Sequence, residues 1–292
     1  MQYYFIVAVE SLSHRKAFSV KGVFPGGSGN LFICRLHACV ETEYFIIKLL
    51  IIQYKWGYCM EYKYGKNENY EDFSSGRVLY HVSGMTNFPV RLAQEIFGRC
   101  LQYSPKKKNI CLYDCCCGGG YLLTVLGFLN QDSIGKLMGS DVDVELLSIA
   151  KKNLSLLSEE GINRRITEIE EMIDNFHKQS HVEARESAIK LKGLIKTHIE
   201  VEVFYADVLQ GVNLKERPDI ILTDIPYGNL VVWKSKEDNS MVKFLDTLYG
   251  ISSSDTVIGL CMDKKTKVKD ERFERLEWQQ VGKRRFEILR KR

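Results

Sequence analysis

Between a short β-rich run, Asn109–Asp114, and an apolar stretch, Tyr121–Leu129, the chain reads Leu112-Tyr113-Asp114-Cys115-Cys116-Cys117-Gly118-Gly119-Gly120-Tyr121. This glycine cluster at a strand-to-helix junction constrains the fold more than any other feature. Glycines permit positive φ and let a ligand approach the backbone closely, and the start of a helix offers unpaired N–H groups. Such junctions belong to sheets in which strands and helices alternate. The flanking sequence agrees. Phe88-Pro89 opens a helix in which Leu92, Ile96, Phe97, Cys100 and Leu101 share one face, with proline near the first turn. Lys136–Asp141 reads as a second strand and Val144–Leu157 as an amphipathic helix. Glu200–Tyr205, Asp219–Thr223 and Thr256–Cys261 are further strand candidates. Phe273–Gln280 and Lys283–Leu289 flank Gly282 and suit an antiparallel hairpin. The expected fold is α/β: a Rossmann-like, mostly parallel sheet with helices on both faces and a C-terminal antiparallel hairpin.

Two segments stand apart. Glu159–His198 is polar and charge-rich, but the spacing of Ile166, Ile169, Ile173 and Phe176 is helical. It reads as a helical insertion, either a solvated helix pair covering a sheet edge or an RNA-gripping element. Residues 1–59 mix the turn-forming Pro25-Gly26-Gly27-Ser28-Gly29 with apolar runs of no clear period, and no fold or role follows. They form an N-terminal extension, or Met60 is the physiological start; the expected domain is 60–292. The nine cysteines, odd in number and with three in a row, suit reduced thiols of a cytoplasmic protein better than a disulfide framework. No zinc knuckle is present, so no metal is expected. The most apolar stretch, Tyr44–Tyr54, contains Lys48 and is shorter than a membrane span.

The chemistry concentrates in carboxylates placed at strand ends. A glycine-rich turn alone is shared with dinucleotide enzymes, or is merely a tight turn. Asp114 discriminates, because a carboxylate there repels a pyrophosphate and attracts a cation such as the methionine moiety of S-adenosylmethionine. Gly118 and Gly120 would make room for that cofactor, with Cys116 counted among its lining residues. Asp141 closes the second strand 21 residues after Gly120, where a carboxylate can accept both ribose hydroxyls. Asp143 either shares that role or caps the next helix. Asp207 either accepts the adenine amino group or is a plain loop aspartate.

The sharpest motif is Thr223-Asp224-Ile225-Pro226-Tyr227-Gly228, directly after an apolar strand. It resembles the [Asp/Asn]-Pro-Pro-[Tyr/Phe] motif of amino-group methyltransferases. An exocyclic amine is conjugated with its ring and is a poor nucleophile. Accepting its N–H bonds with Asp224 and a nearby backbone carbonyl would localise the lone pair. Pro226 fixes φ and brings no competing N–H, and Tyr227 can stack the target base in line with the methyl group. The competing reading is a plain Pro-Tyr-Gly turn.

Several stretches together resemble the avilamycin-resistance, AviRa-type, rRNA methyltransferases. These are Phe88-Pro89-Val90-Arg91-Leu92-Ala93-Gln94-Glu95-Ile96-Phe97, the run Asp114 to Asn130, Ser140-Asp141-Val142-Asp143, the run from Lys152-Asn153-Leu154 to Leu157, and the Asp224 motif. The resemblance covers roughly residues 75–292. It departs at Cys115 and Gly119, where the family turn has proline and serine, and at Ile225, where it has leucine. It implies a class I methyltransferase fold, S-adenosylmethionine as donor, methylation of a guanine nitrogen in 23S ribosomal RNA, and orthosomycin resistance as phenotype. It also implies that Trp233 shapes the base pocket. A DNA adenine, a protein glutamine amide, or a non-catalytic RNA-binding role are the alternatives. The basic C-terminal residues Lys264, Lys265, Lys267, Lys269, Arg284, Arg285, Arg290, Lys291 and Arg292 would contact phosphates or form a solvated charged hairpin.

Overall fold

The computed structural model describes residues 6–12, 15–22, 32–37, 60–82, 87–225 and 239–292. The chain divides into two compact units, Met1–Cys59 and Met60–Arg292. The first contains a three-stranded antiparallel sheet, β1 (Ile6–Leu12), β2 (Arg15–Gly22) and β3 (Phe32–His37), in the order β1-β2-β3. No strand is legible there in the sequence, because the apolar residues do not alternate with a clear period.

The second unit is built on a seven-stranded sheet. Its elements in chain order are α1 (Val90–Tyr103), β4 (Ile110–Asp114), α2 (Tyr121–Leu129), β5 (Ile134–Asp141), α3 (Val144–Ser155), α4 (Glu159–Phe176), α5 (Gln179–Lys192), β6 (Glu200–Tyr205), β7 (Ile220–Asp224), α6 (Ser240–Ile251), β8 (Val257–Asp263), β9 (Phe273–Val281) and β10 (Arg284–Lys291). The strand order is β6-β5-β4-β7-β8-β10-β9. The first five strands run parallel; β10 is antiparallel to β8 and to β9. The chain moves outward from β4 through β5 to β6, then returns to the other side of β4 with β7. That reversal opens a crevice at the carboxyl ends of β4 and β7, the usual ligand position in such sheets.

Local sequence explains the elements. Pro89 supplies the N-cap backbone of α1, whose Leu92, Ala93, Ile96, Phe97 and Cys100 are buried. In α2 apolar residues occupy nearly every position, and eight of its nine residues are buried, as a helix apolar all round requires. Asp143 caps α3 by accepting the N–H groups of Glu145 and Leu146, and Ser158 caps α4. Gly282, at φ +59, makes the turn between β9 and β10. One core lies where α1, α2 and α3 meet the sheet, and a second lies under α6.

The insertion is a pair of helices, α4 and α5, that pack on each other. Their neighbours are α3 and the segment ahead of α1: Arg165 Nε donates to the Val78 carbonyl, Tyr80 Oη donates to Glu168, and Ser187 Oγ donates to Asp72. The pair therefore braces the residue 70–80 segment. Glu95, fully buried in α1, secures residues 64–65 in the same way by accepting the N–H groups of Tyr64 and Gly65 and the Arg99 guanidinium. Burial alone would raise the Glu95 pKa; these donors more than offset it and leave it below the usual value.

Candidate active site

The carboxyl edge of the sheet carries a row of acids on four adjacent strands. Asp114 ends β4, Asp141 ends β5, Asp224 ends β7, and Asp207 lies just past β6. Sheet topology alone brings them together, because each terminates or follows a parallel strand at the same edge.

Asp114 is buried, with 2% of its surface exposed. Its Oδ1 accepts the Cys116 N–H at 3.1 Å. Burial pushes its pKa up to about 7, and the charges of Asp141 and Asp224 add to the rise. A buried acid facing two others is a site that favours a cation.

The turn after Asp114 is held from several sides. The Cys117 N–H donates to the Ser140 carbonyl, and the Gly118 N–H donates to Asp141 Oδ2 at 2.8 Å. Gly118 has φ +51, with open space where a Cβ would stand. Gly120, at φ +73, packs so closely on α3 that a Cβ would lie 3.0 Å from the Ala150 Cα. The two glycines thus serve different needs: Gly118 leaves the backbone approachable, and Gly120 lets α2 and α3 meet.

Asn153 on α3 is fully buried and ties the turn to the residue 70–80 segment. Its amide donates to the Gly119 carbonyl at 2.8 Å and to the Tyr80 carbonyl at 3.0 Å, and its Oδ1 accepts the Tyr80 N–H at 2.7 Å.

Asp141 uses both oxygens on backbone, Oδ2 on Gly118 and Oδ1 on the Asp143 N–H at 3.0 Å. It is half-buried, and the remaining lone pairs suit ligand hydroxyls. Asp143 spends its side chain on the α3 cap, the structural role that the sequence left open. Asp207 accepts the Leu209 N–H at 2.9 Å in a local turn, beside Asp141, whose carbonyl accepts the Ala206 N–H.

Asp224 closes β7 opposite Cys261 of β8. Burial pushes its pKa up to about 6, against the lowering effect of the Arg284 cation. Oδ1 is buried without a hydrogen-bond partner; Oδ2 lies 3.9 Å from an Arg284 terminal nitrogen. The Ile225 N–H donates to the Cys261 carbonyl, so the ladder continues one residue past Asp224. Pro226, Tyr227 and Trp233 lie outside the described residues.

Neither Asn153 as a clamp nor Arg284 as the neighbour of Asp224 is evident from the sequence. No local signal marks Arg284: it arrives through the register of β10 on β8, where it pairs with Asp263. The basic C-terminal stretch therefore needs correcting, because its members do different things. Arg285 is buried in an ion pair with Glu287. Arg290 donates to the Tyr103 carbonyl and Lys291 to that of Tyr249, at the far end of β10. Lys264, Lys265, Lys267 and Lys269 are exposed after the carboxyl end of β8. A recess of about 410 Å³ sits at the opposite, amino edge of the sheet, between Lys106, Arg217, Asp219 and Asp255. Asp219 there is engaged by Lys106 and by the Cys111 N–H, and no acid of the row reaches it.

The family described as the rRNA methyltransferase AviRa matches residues 60–284. The chain belongs to that family. It is 40% identical over 173 residues to the 23S rRNA (guanine(2535)-N(1))-methyltransferase of Streptomyces viridochromogenes, across 56% of this chain and 69% of that protein. Two solved structures of the rRNA methyltransferase AviRa from Streptomyces viridochromogenes are each 33% identical, with a TM-score of 0.72 and coverage of 79% of this chain and 96% of theirs. The AviRa structures share the fold, so the Rossmann-like methyltransferase architecture expected from the glycine turn and strand order holds. No helix among the described residues is long and apolar enough to cross a membrane.

Proposed function

We propose that this chain transfers the methyl group of S-adenosylmethionine to N1 of a guanine in 23S rRNA. The observation that carries the reading is the acid row itself, with Asp114 and Asp224 flanking the crevice between β4 and β7. It is joined by membership of a family whose Streptomyces relative is named for guanine N1 methylation. The Asp224 motif pointed to an exocyclic amine; N1 is a ring nitrogen, but it too carries an N–H that a carboxylate can accept.

The residues fit the donor. A buried acid of raised pKa suits the methionine ammonium, Gly118 leaves approachable backbone, and Asp141 keeps lone pairs for ribose hydroxyls. In this reading Asp114 holds the ammonium, Cys116, Gly118 and Gly120 shape the backbone around it, Asp141 grips the ribose, and Asp207 takes the adenine amino group. When bound, S-adenosylmethionine supplies an electrophilic methyl group on a positively charged sulfur. Asp224 accepts the N1 proton, which frees the ring lone pair. Pro226 and Tyr227 are assigned to aligning the base. The protein acts where ribosomes are made, in the cytoplasm, and orthosomycin resistance is the phenotype that follows.

Incubation with labelled donor and undermethylated 23S rRNA, followed by mapping of the modified nucleotide, should find methyl on guanine N1. Label appearing instead in DNA or in a protein glutamine overturns the reading. Asp224→Ala should abolish transfer while leaving donor affinity, measured by calorimetry, within a few-fold of the parent. Wild-type turnover in that variant removes Asp224 from the mechanism.

A further inference from the structure

N1 of guanine is part of an amide-like system, so a proton leaving N1 sends negative charge onto O6. Asp224 can take the proton, but a carboxylate cannot stabilise that oxygen. The structure places a cation beside it. Arg284 begins β10, faces Asp263 of β8, and reaches past β8 to within 3.9 Å of Asp224 Oδ2. Its guanidinium also lies 5.5 Å from the centre of the Phe88 ring, which fixes its direction. Only 27% of its side chain is exposed, so its charge is poorly screened.

We propose that Arg284 is a catalytic residue that donates a hydrogen bond to O6 of the target guanine while Asp224 takes the N1 proton. The inference rests on the guanine N1 reading. In the step, the N1–H proton passes to Asp224, and the N1 electron pair forms the bond to the methyl carbon. The carbon–sulfur bond breaks with its pair retained by sulfur. Arg284 meets the charge that develops on O6, and its positive field keeps Asp224 ionised and ready to accept. The same donor discriminates between bases, because adenine presents an amino group at position 6 and would place donor against donor.

The test uses the full chain with Arg284→Met and Arg284→Lys. Among the described residues, the charged or titratable neighbours of Asp224 are Asp114 on β4, Cys261 on β8 and Arg284 itself. Removing the cation should raise the Asp224 pKa, so the acid limb of the methylation pH profile should move up by ~1 unit. Carbon NMR of the Asp224 carboxyl in the protein without RNA should show the same shift. Turnover of Arg284→Met should fall by ~100-fold or more, with donor affinity by calorimetry unchanged within a few-fold. Arg284→Lys should restore the acid limb and part of the rate. Parent-like turnover and pH profile in Arg284→Met overturn the proposal, and so does loss of donor binding in both variants, which marks a structural role. If the parent itself places no methyl on guanine, the underlying reading fails and takes this inference with it.

Discussion

Asp114 stores the largest electrostatic cost in the site. Its pKa of about 7 stands well above that of an unfolded aspartate. Between about pH 4 and pH 7 the unfolded chain has released this proton while the native protein retains it, so the contribution of Asp114 to stability falls as pH rises through that window. Asp114→Asn should therefore raise the unfolding free energy at pH 7 by roughly 2–4 kcal/mol, measured by urea denaturation, and weaken donor binding. An unchanged or lower stability contradicts the burial cost assigned to it. A cationic ligand reverses the balance, since it favours the ionised carboxylate. Donor affinity should rise with pH up to about 7 and level off above, with proton release visible when calorimetry is repeated in buffers of different ionisation enthalpy. A flat affinity from pH 5.5 to 8 argues against an ammonium at Asp114. Asp141→Ala should weaken the donor by ~1–3 kcal/mol, and equal affinity rules the ribose role out. At this scale Asp114, Asp141 and Asp224 were legible because each follows an apolar run and ends a strand. Arg284 was not, because its neighbour lies 60 residues away in sequence and two strands across the sheet.

The turn from β4 to α2 is held from β5 by Asp141 and from α3 by Asn153. Asn153 on α3 satisfies two carbonyls and one N–H, of which the Gly119 carbonyl is buried and the two Tyr80 groups are half-buried. Asn153→Ala should cost roughly 2–4 kcal/mol of stability, since each buried group left unsatisfied carries its own desolvation penalty. It should also weaken the donor, because the Gly119 carbonyl loses its anchor. A loss below ~0.5 kcal/mol in chemical denaturation would place this clamp among ordinary surface contacts. Element positions in the second unit were readable from periodicity. The Tyr121–Leu129 and Glu200–Tyr205 boundaries coincide with those expected from the sequence, and other strand and helix ends differ by a residue or two. The helical spacing of Ile166, Ile169 and Ile173 gave the insertion as helix but not its partner, because the segment it braces, Asp72 to Tyr80, lacks a repeating pattern. The three strands before residue 60 were hidden for the same reason.

At the scale of the molecule, the family match begins at residue 60 and the 60–292 unit holds both cores of the sheet. Residues 60–292 produced alone should unfold cooperatively and bind the donor as the full chain does; an aggregated or non-binding product would assign the first unit a part in the fold. Sheet order explains why so little of the site is contiguous in sequence. Strands β4, β5, β6 and β7 supply one acid each, and a fifth group arrives from the antiparallel β10, which only the topology places nearby. In the proposed function one site at the carboxyl edge of this sheet serves both donor and base. Crystals of the full chain grown with S-adenosylhomocysteine test it most directly. The expected result is a ligand whose amino group meets Asp114, whose ribose meets Asp141, and whose sulfur faces Asp224 across the crevice between β4 and β7. A ligand bound in the recess at the amino edge, near Arg217 and Asp255, or one whose sulfur points away from Asp224, contradicts it.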